Sequence, residues 1–415
     1  MPLRLSILYT ENTRNIALRI LGVGLSSLGS IWVARVLGPE KLGISSLVFS
    51  LSALVVVLAT LNQDNNLVRI NLSIDDLQEK DSFCLRVVAL RFFISLFLIL
   101  ICFLALPFLG IGSVWLLPIA AGSLLSIFSS NDFGWLYQSR NLMPQFLQIQ
   151  SFKAIAIGLI SILIIRHNWP AGSELAVAAV VSIFIFIICF KQIFPSYEFT
   201  TLFKISNNLR ISTYLKGGRW LALLGLATYI ISYIEFPIIA YFSGVSSLGI
   251  FKASHQLANI FNPFLPLFFY KLYPQLVQLN EQKLYSSMPI LLNKSIFKLF
   301  FVAFPVLMIA YFLSPPFYFY LFGSEYIGAS TPFLFLLASK FIIISVKIYS
   351  WALLALRRDK ELVVASLIIS LLSIILQVYF VSFMGIAGAS IATLITQLFI
   401  FLSLYFLSIK VIRSI

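Results

Sequence analysis

Apolar residues gather into twelve runs of about twenty, with approximate centres at Ser27, Ala53, Leu98, Leu125, Ile157, Ile183, Thr228, Ile260, Val302, Phe341, Ser373 and Thr396. A run of that length spans a bilayer as an α-helix. The polar stretch Pro195–Thr213 has six runs on either side. The pattern predicts an all-α integral membrane protein of about twelve transmembrane helices. It divides into two pseudo-symmetric six-helix lobes, residues 1–194 and 214–415, with a cytoplasmic linker at 195–213.

A repeat supports this division. Ala34-Arg-Val-Leu-Gly-Pro-Glu-Lys-Leu-Gly-Ile44 returns as Ala240-Tyr-Phe-Ser-Gly-Val-Ser-Ser-Leu-Gly-Ile250, at an offset of 206 (240 − 34) with Ala, Gly, Leu, Gly and Ile in the same places. Leu67-Val-Arg-Ile-Asn71 answers Leu276-Val-Gln-Leu-Asn280 at an offset of 209 (276 − 67). A period of half the chain describes tandem lobes rather than a solenoid, and many transporters build their path from such lobes. The Gly38–Gly43 corner and its copy at Gly244–Gly249 read as tight turns joining runs one to two and seven to eight.

Composition and charge refine the picture. Hydrophobic residues make up 60% of the chain and charged ones 11%, against roughly 45–50% and about 25% in soluble domains. The net charge of +14 is distributed by loop. Arg4 and Arg14 precede the first run, Arg69, Lys80, Arg140, Lys271, Lys283, Arg357, Arg358 and Lys360 follow even-numbered runs, and Lys191, Lys204, Arg210 and Lys216 surround the linker. Lys410 and Arg413 close the chain, while the alternate loops hold only Arg35, Lys41 and Arg166. The positive-inside rule places both termini, the linker and the even loops in the cytoplasm. The charge is therefore a topology signal, and no nucleic-acid partner is expected. The first run is too long for a signal-peptide core and lacks a small-residue cleavage site. Cys84, Cys102 and Cys189 have neither disulfide nor metal spacing and read as packing residues. The segments Asn62–Ser82 and Tyr273–Met288 are amphipathic and are expected to lie on the membrane surface.

Some charges lie inside the predicted spans: Lys153, Lys252, His255, Lys298 and Lys340, with Arg19, Arg91, Arg219, Lys294 and Lys347 nearer the cytoplasmic ends. An ionised group at mid-membrane costs ~2.5–3.5 kcal/mol even on the mildest scale, so it either snorkels to the interface or faces a wet interior. Lys340 with Lys347, Lys294 with Lys298, and Lys252 with His255 share helix faces. Asn15, Arg19, Gly22, Ser26 and Ser30 form one polar, small-residue stripe, which suits either a cavity wall or a tight helix contact. Of the acids, Asp132 lies near the end of the fourth run and Glu235 in the seventh. The corner at Gly244 should bring Glu235 and Lys252 to similar depths, as a structural ion pair or as a site for a coupling ion. A mostly cationic interior suits an anionic guest such as a phosphate. Outward movement of an anion is favoured by roughly 2.3 kcal/mol per charge per 100 mV.

No G-x-x-x-x-G-K-[ST] loop occurs. With His167 and His255 the only histidines, a His-based zinc site or Ser-His-Asp triad is not supported. Asp75-Asp76 reads as a solvated face.

The run Asn15–Gly43, with Ala34-Arg-Val-Leu-Gly-Pro-Glu-Lys-Leu-Gly43 at its corner, resembles the polysaccharide exporters called Wzx or O-antigen flippases. These belong to the multidrug/oligosaccharidyl-lipid/polysaccharide superfamily, with the lipid II flippases and the MATE drug exporters. Trp135-Leu-Tyr-Gln-Ser-Arg-Asn141, Leu354-Ala-Leu-Arg-Arg-Asp-Lys360 and Gly385-Ile-Ala-Gly-Ala-Ser-Ile-Ala392 add to the resemblance, which spans the chain. It implies a V-shaped pair of lobes that alternates between inward- and outward-open states. It also implies an undecaprenyl-diphosphate-linked oligosaccharide, turned from the cytoplasmic to the periplasmic leaflet of the bacterial inner membrane. The polyprenyl tail would stay in membrane lipid, and a polymerase and glycosyltransferases of the same pathway would be partners.

The family has no strict catalytic motif, so candidate residues rest on depth and spacing. Arg19, Arg91, Lys153, Lys252, Lys298, Lys340 and Lys347 are the candidate diphosphate-binding cations, and Asp132, Glu235 and His255 the candidate coupling groups. No catalytic or metal-ligating residue and no cofactor is expected, with coupling to H+, Na+ or the membrane potential. One rival is a MATE-like drug exporter, whose site would favour carboxylates and aromatics. Another is a membrane-embedded polymerase or glycosyltransferase, which would carry a large polar outer loop where Ser314–Gly328 is short and apolar.

Overall fold

The computed structural model describes residues 2–105, 112–195, 197, 218–260, 272–356 and 358–413. Lys204, Arg210 and Lys216 of the expected linker, with Lys271 and Arg357, lie outside the described residues. The α-helices are α1 (Pro2–Thr60), α2 (Asp64–Leu72), α3 (Leu77–Ala105), α4 (Leu116–Ser130), α5 (Gly134–Ser139), α6 (Met143–Ile164) and α7 (Ser173–Ile193). They continue as α8 (Arg219–Tyr233), α9 (Glu235–Asn259), α10 (Leu272–Glu281), α11 (Ser287–Leu321), α12 (Ser330–Ala355) and α13 (Asp359–Arg413). Short 3-10 turns at Ser113–Trp115 and Ser324–Ala329 are the only other regular elements among the described residues.

Nine helical runs among the described residues are long and apolar enough to cross a membrane. Three of them, of 56, 40 and 53 residues, are long enough to cross twice, since ~20 residues suffice for one crossing. Each folds at a glycine in the left-handed region: Gly38 (φ 78°) in α1, Gly244 (φ 85°) in α9 and Gly385 (φ 57°) in α13. A residue with a Cβ would be strained at these angles.

The chain forms two compact units, Met1–Leu37 with Val48–Leu226, and Gly38–Leu47 with Ala227–Ile415. The corner of the first hairpin is thus packed as part of the second unit, next to its own sequence repeat. A Cβ on Gly43 would fall on the Val245 carbonyl, and one on Gly249 would fall on the Pro39 carbonyl. Both pairs are related by the repeat offset of 206 (245 − 39 and 249 − 43), so the contact is reciprocal. Small residues allow this closeness of helix backbones.

In the first unit the stripe on α1 is a tight helix contact along part of its length. Gly22 lies against the Ser151 backbone of α6, and Gly158 of α6 against Leu25 and Ser26. The expected surface helix Asn62–Ser82 is instead two helices. Asp76 caps α3, its carboxylate accepting from the Glu79 N–H at 2.9 Å, which breaks the segment as N-caps do. Leu67 and Val68 of α2 are buried with Cys84, Leu85, Leu136 and Tyr137 rather than facing lipid. The second repeat anchor has a matching role in both units. Leu67 and Leu276 are fully buried, while the Asn71 amide donates to Ser139 Oγ at 2.7 Å and the Asn280 amide to the Ala355 carbonyl at 3.0 Å. The stretch expected as an outer loop from Ser314 is helical to Leu321, despite Pro315 and Pro316.

Gly43→Ala and Gly249→Ala should each cost about 1–3 kcal/mol through overpacking. The check is the thermal unfolding midpoint in detergent, with Gly24→Ala as control, since a Cβ there meets nothing within 4 Å.

Candidate functional site

The second unit holds a polar constellation built by two of the glycine folds. Glu235 opens α9, and the turn at Gly244 brings the helix back so that His255 reaches it: His255 Nε2 lies 3.8 Å from Glu235 Oε1. The Asn259 amide faces His255 Nδ1 at 2.8 Å. An amide N–H donates, so the ring accepts at Nδ1 and carries its proton on Nε2, towards Glu235. The gap to the carboxylate is longer than a hydrogen bond. Glu235 itself is 3% exposed.

The fold at Gly385 completes the arrangement from α13. The Thr393 hydroxyl donates to Glu235 Oε2 at 2.5 Å, and Gln377, on the other arm, donates from Nε2 to Thr393 Oγ1 at 2.9 Å and to the Ala389 carbonyl at 3.3 Å. Thr393 has a single hydroxyl proton and a second acceptor, the Ala389 carbonyl at 3.0 Å. Gln377 Oε1 is buried without a hydrogen-bond partner. Lys252 Nζ sits 5.4 Å over the Phe236 ring. Both Lys252 and Lys340, on α12, are within electrostatic reach of Glu235 and His255. A carboxylate held by a hydroxyl donor and neighbouring cations can exist as an anion at membrane depth. It can also exchange that charge with a proton or a small cation.

The first unit has a smaller site at the end of α4. Asp132 accepts from the Gly134 N–H at 2.8 Å and lies 3.5 Å from Gln150 Nε2 on α6. Lys153, one turn further along α6, is within electrostatic reach of Asp132. Asp132, Gln150 and Lys153 line a small, partly open pocket together with Asn131, Phe128, Phe146 and Phe186. Asn131 Oδ1 is buried there without a hydrogen-bond partner.

The remaining candidate cations are dispersed. Arg91 of α3 is 1% exposed and pairs with Asp64 of α2 at 2.6 Å. It also donates to the Ser130 carbonyl and lies 5.9 Å from the Trp135 ring centroid, so it ties four helices of the first unit together. Arg19 is half-buried on α1, whereas Lys298 on α11 and Lys347 on α12 are exposed.

Residues 12–280 match the sequence family described as polysaccharide biosynthesis protein. The chain belongs to that family. This polysaccharide biosynthesis protein has the fold of the multidrug/oligosaccharidyl-lipid/polysaccharide exporters. The solved lipid II flippase MurJ, in an inward closed conformation, superposes with a TM-score of 0.75 at 17% identity, covering 97% of this chain and 87% of that one. An inward-facing multidrug resistance MATE family transporter of the superfamily superposes at 0.65 with 12% identity, over 95% of each chain. An outward-facing MATE family transporter superposes at 0.63 with 13% identity, covering 97% of this chain and 96% of that one. No curated protein sequence matches it.

Sequence reasoning overlooked Thr393, Gln377 and Asn259 because it weighed only ionisable groups. A glutamine inside an apolar run was the available signal, since an unpaired amide in hydrocarbon is costly. Asp64 was overlooked for another reason: it lies in a polar segment where a carboxylate needs no explanation.

Asp64→Ala should remove the carboxylate partner of the buried Arg91 guanidinium and destabilise the protein by about 1–3 kcal/mol. Denaturation in detergent measures this, and Asp64→Glu should recover part of the loss.

Proposed function

We propose that this polysaccharide biosynthesis protein is a flippase for undecaprenyl-diphosphate-linked oligosaccharide repeat units of the O-antigen kind, carrying them from the cytoplasmic to the periplasmic leaflet of the inner membrane. The observation that carries the reading is the family match over residues 12–280 in a chain with an exporter fold. It joins polysaccharide synthesis to transport. The excess of cations over acids in the spans supports an anionic cargo, because ammonium and guanidinium groups bind phosphates through charge-assisted hydrogen bonds. The loop charges support cytoplasmic termini.

Transport requires no covalent step in this reading. Intramembrane cations would bind the diphosphate in transit, with Lys153 the principal one in the first unit and Lys340 in the second. Arg91 contributes to the framework through Asp64 rather than to the cargo. Glu235 is the coupling group: uptake and release of a proton or sodium ion would change the balance among Glu235, His255, Lys252 and Lys340. Thr393 supports its anionic form by donating to the carboxylate. The likeness to MATE family transporters sustains one competing reading, export of an organic cation. Such a cargo would be repelled by Lys340 and Lys252.

Lys340→Ala and Lys153→Ala should abolish complementation of a flippase-null strain while membrane expression stays at the unsubstituted level. Full complementation by both variants overturns the reading in which these cations bind an anionic cargo. In proteoliposomes, Glu235→Gln should slow flipping and remove its dependence on an imposed ion gradient, and Thr393→Val should slow it in the same direction. A gradient-dependent Glu235→Gln protein overturns the coupling assignment.

A further inference from the structure

The helix α11 packs on one side through Leu292, Leu299, Ala303 and Tyr318 and leaves most of its apolar surface uncovered. Only 11% of its most apolar stretch is buried, against 17–56% for the other eight candidate spans. Its exposed surface is also organised. Lys294 and Lys298 are its only charged side chains, both are exposed, and neither forms an ion pair with a carboxylate among the described residues. They stand one turn apart, with Cβ atoms ~5–6 Å from each other.

On a helix of 3.6 residues per turn, Lys294 and Lys298 share a stripe about 100° wide with Phe297, Phe301, Met308 and Phe312. Phe297, Phe301 and Phe312 are 68%, 72% and 67% exposed. The rings of Phe297 and Phe301 lie 6.3 Å apart and form one continuous aromatic surface beside the lysines. From Lys294 to Phe312 the stripe extends about 27 Å, close to the thickness of the hydrocarbon core. The surface therefore has a cationic head end and a long apolar body.

We propose that this stripe is a docking track for an isoprenoid diphosphate lipid, with Lys294 and Lys298 receiving the diphosphate and the aromatic face receiving the tail. The inference rests on the flippase reading only for the identity of the carrier. Charge decides between lipids. Two adjacent ammonium groups with no acid on the helix fit two linked phosphoryl groups, whereas an ordinary phospholipid phosphodiester offers one negative charge. The aromatic rings and the polarisable Met308 thioether offer a rigid, unsaturated surface on which a long tail loses little by lying flat. The track would hold the carrier at the protein surface.

Native mass spectrometry of the full-length protein in detergent tests this with undecaprenyl diphosphate, farnesyl diphosphate and phosphatidylglycerol as probes. The Lys294→Ala/Lys298→Ala double variant should retain about tenfold less undecaprenyl diphosphate, as expected for loss of a charge-assisted contact, with phosphatidylglycerol unchanged. The Lys294→Arg/Lys298→Arg variant should bind normally, which also confirms folding. Phe297→Ala/Phe301→Ala should weaken undecaprenyl diphosphate and leave farnesyl diphosphate unaffected. Equal loss of both long-chain lipids, or no loss of either, overturns the track and leaves ordinary lipid as its cover. A protein that binds the probe in this way yet flips no lipid-linked oligosaccharide in proteoliposomes refutes the flippase reading and leaves the track standing.

Discussion

A polypeptide in hydrocarbon must satisfy its backbone hydrogen bonds within itself, so it runs as helix and changes direction only where a residue tolerates the turn. Three of the turns are made by glycines with positive φ, at Gly38, Gly244 and Gly385. The polar chemistry depends on two of them. Gly244 brings Glu235 to His255 on one helical run, and Gly385 brings Gln377 to Thr393 on another. Each fold juxtaposes residues on its two arms, and the Thr393 hydroxyl then joins the two runs at the Glu235 carboxylate. Positions that look isolated along each helix become one polar cluster.

The two kinds of buried charge in this protein have different physical consequences. Arg91 is buried against a carboxylate that itself reaches solvent, with Asp64 54% exposed. The pair therefore keeps one member hydrated and serves as a fixed joint between helices. Glu235 is enclosed more completely and is held by a neutral hydroxyl with cations at a distance, an arrangement whose charge can change without breaking the fold. A structural ion pair resists exchange because each partner needs the other. A carboxylate supported chiefly by dipoles can accept a proton or a cation at lower cost, which is the physical ground for proposing coupling at Glu235, while Arg91 joins helices through Asp64.

Much of this was legible in the chain itself. The repeat located the corners at Gly38 and Gly244, and the count of residues on either side of Gly244 placed the end of α9 near the depth of Glu235. Anticipating Lys252 as the partner was close, since Lys252 lies over the adjacent Phe236 while His255, less than one turn away, meets the carboxylate. The error at Asn62–Ser82 came from reading apolar spacing without the Ser73 end of α2 and the Asp76 cap that starts α3. Gln377 could have been singled out as an amide inside an apolar run, whereas Thr393 had no pattern to announce it, because small hydroxyl residues are common in membrane helices.

Hydropathy, loop charge and the repeat determined a helical membrane protein with two related halves, since transfer into lipid and positive-inside bias depend on the local stretch of chain alone. They also determined which charges lie at membrane depth. Only the tertiary structure decided what those charges meet: Lys340 comes within electrostatic reach of Glu235, Arg91 pairs with Asp64, and Lys298 is exposed on α11. Depth follows from a residue's distance along its own helix. Direction follows from the rotation of that helix against its neighbours, and that rotation is set by packing between residues far apart in sequence.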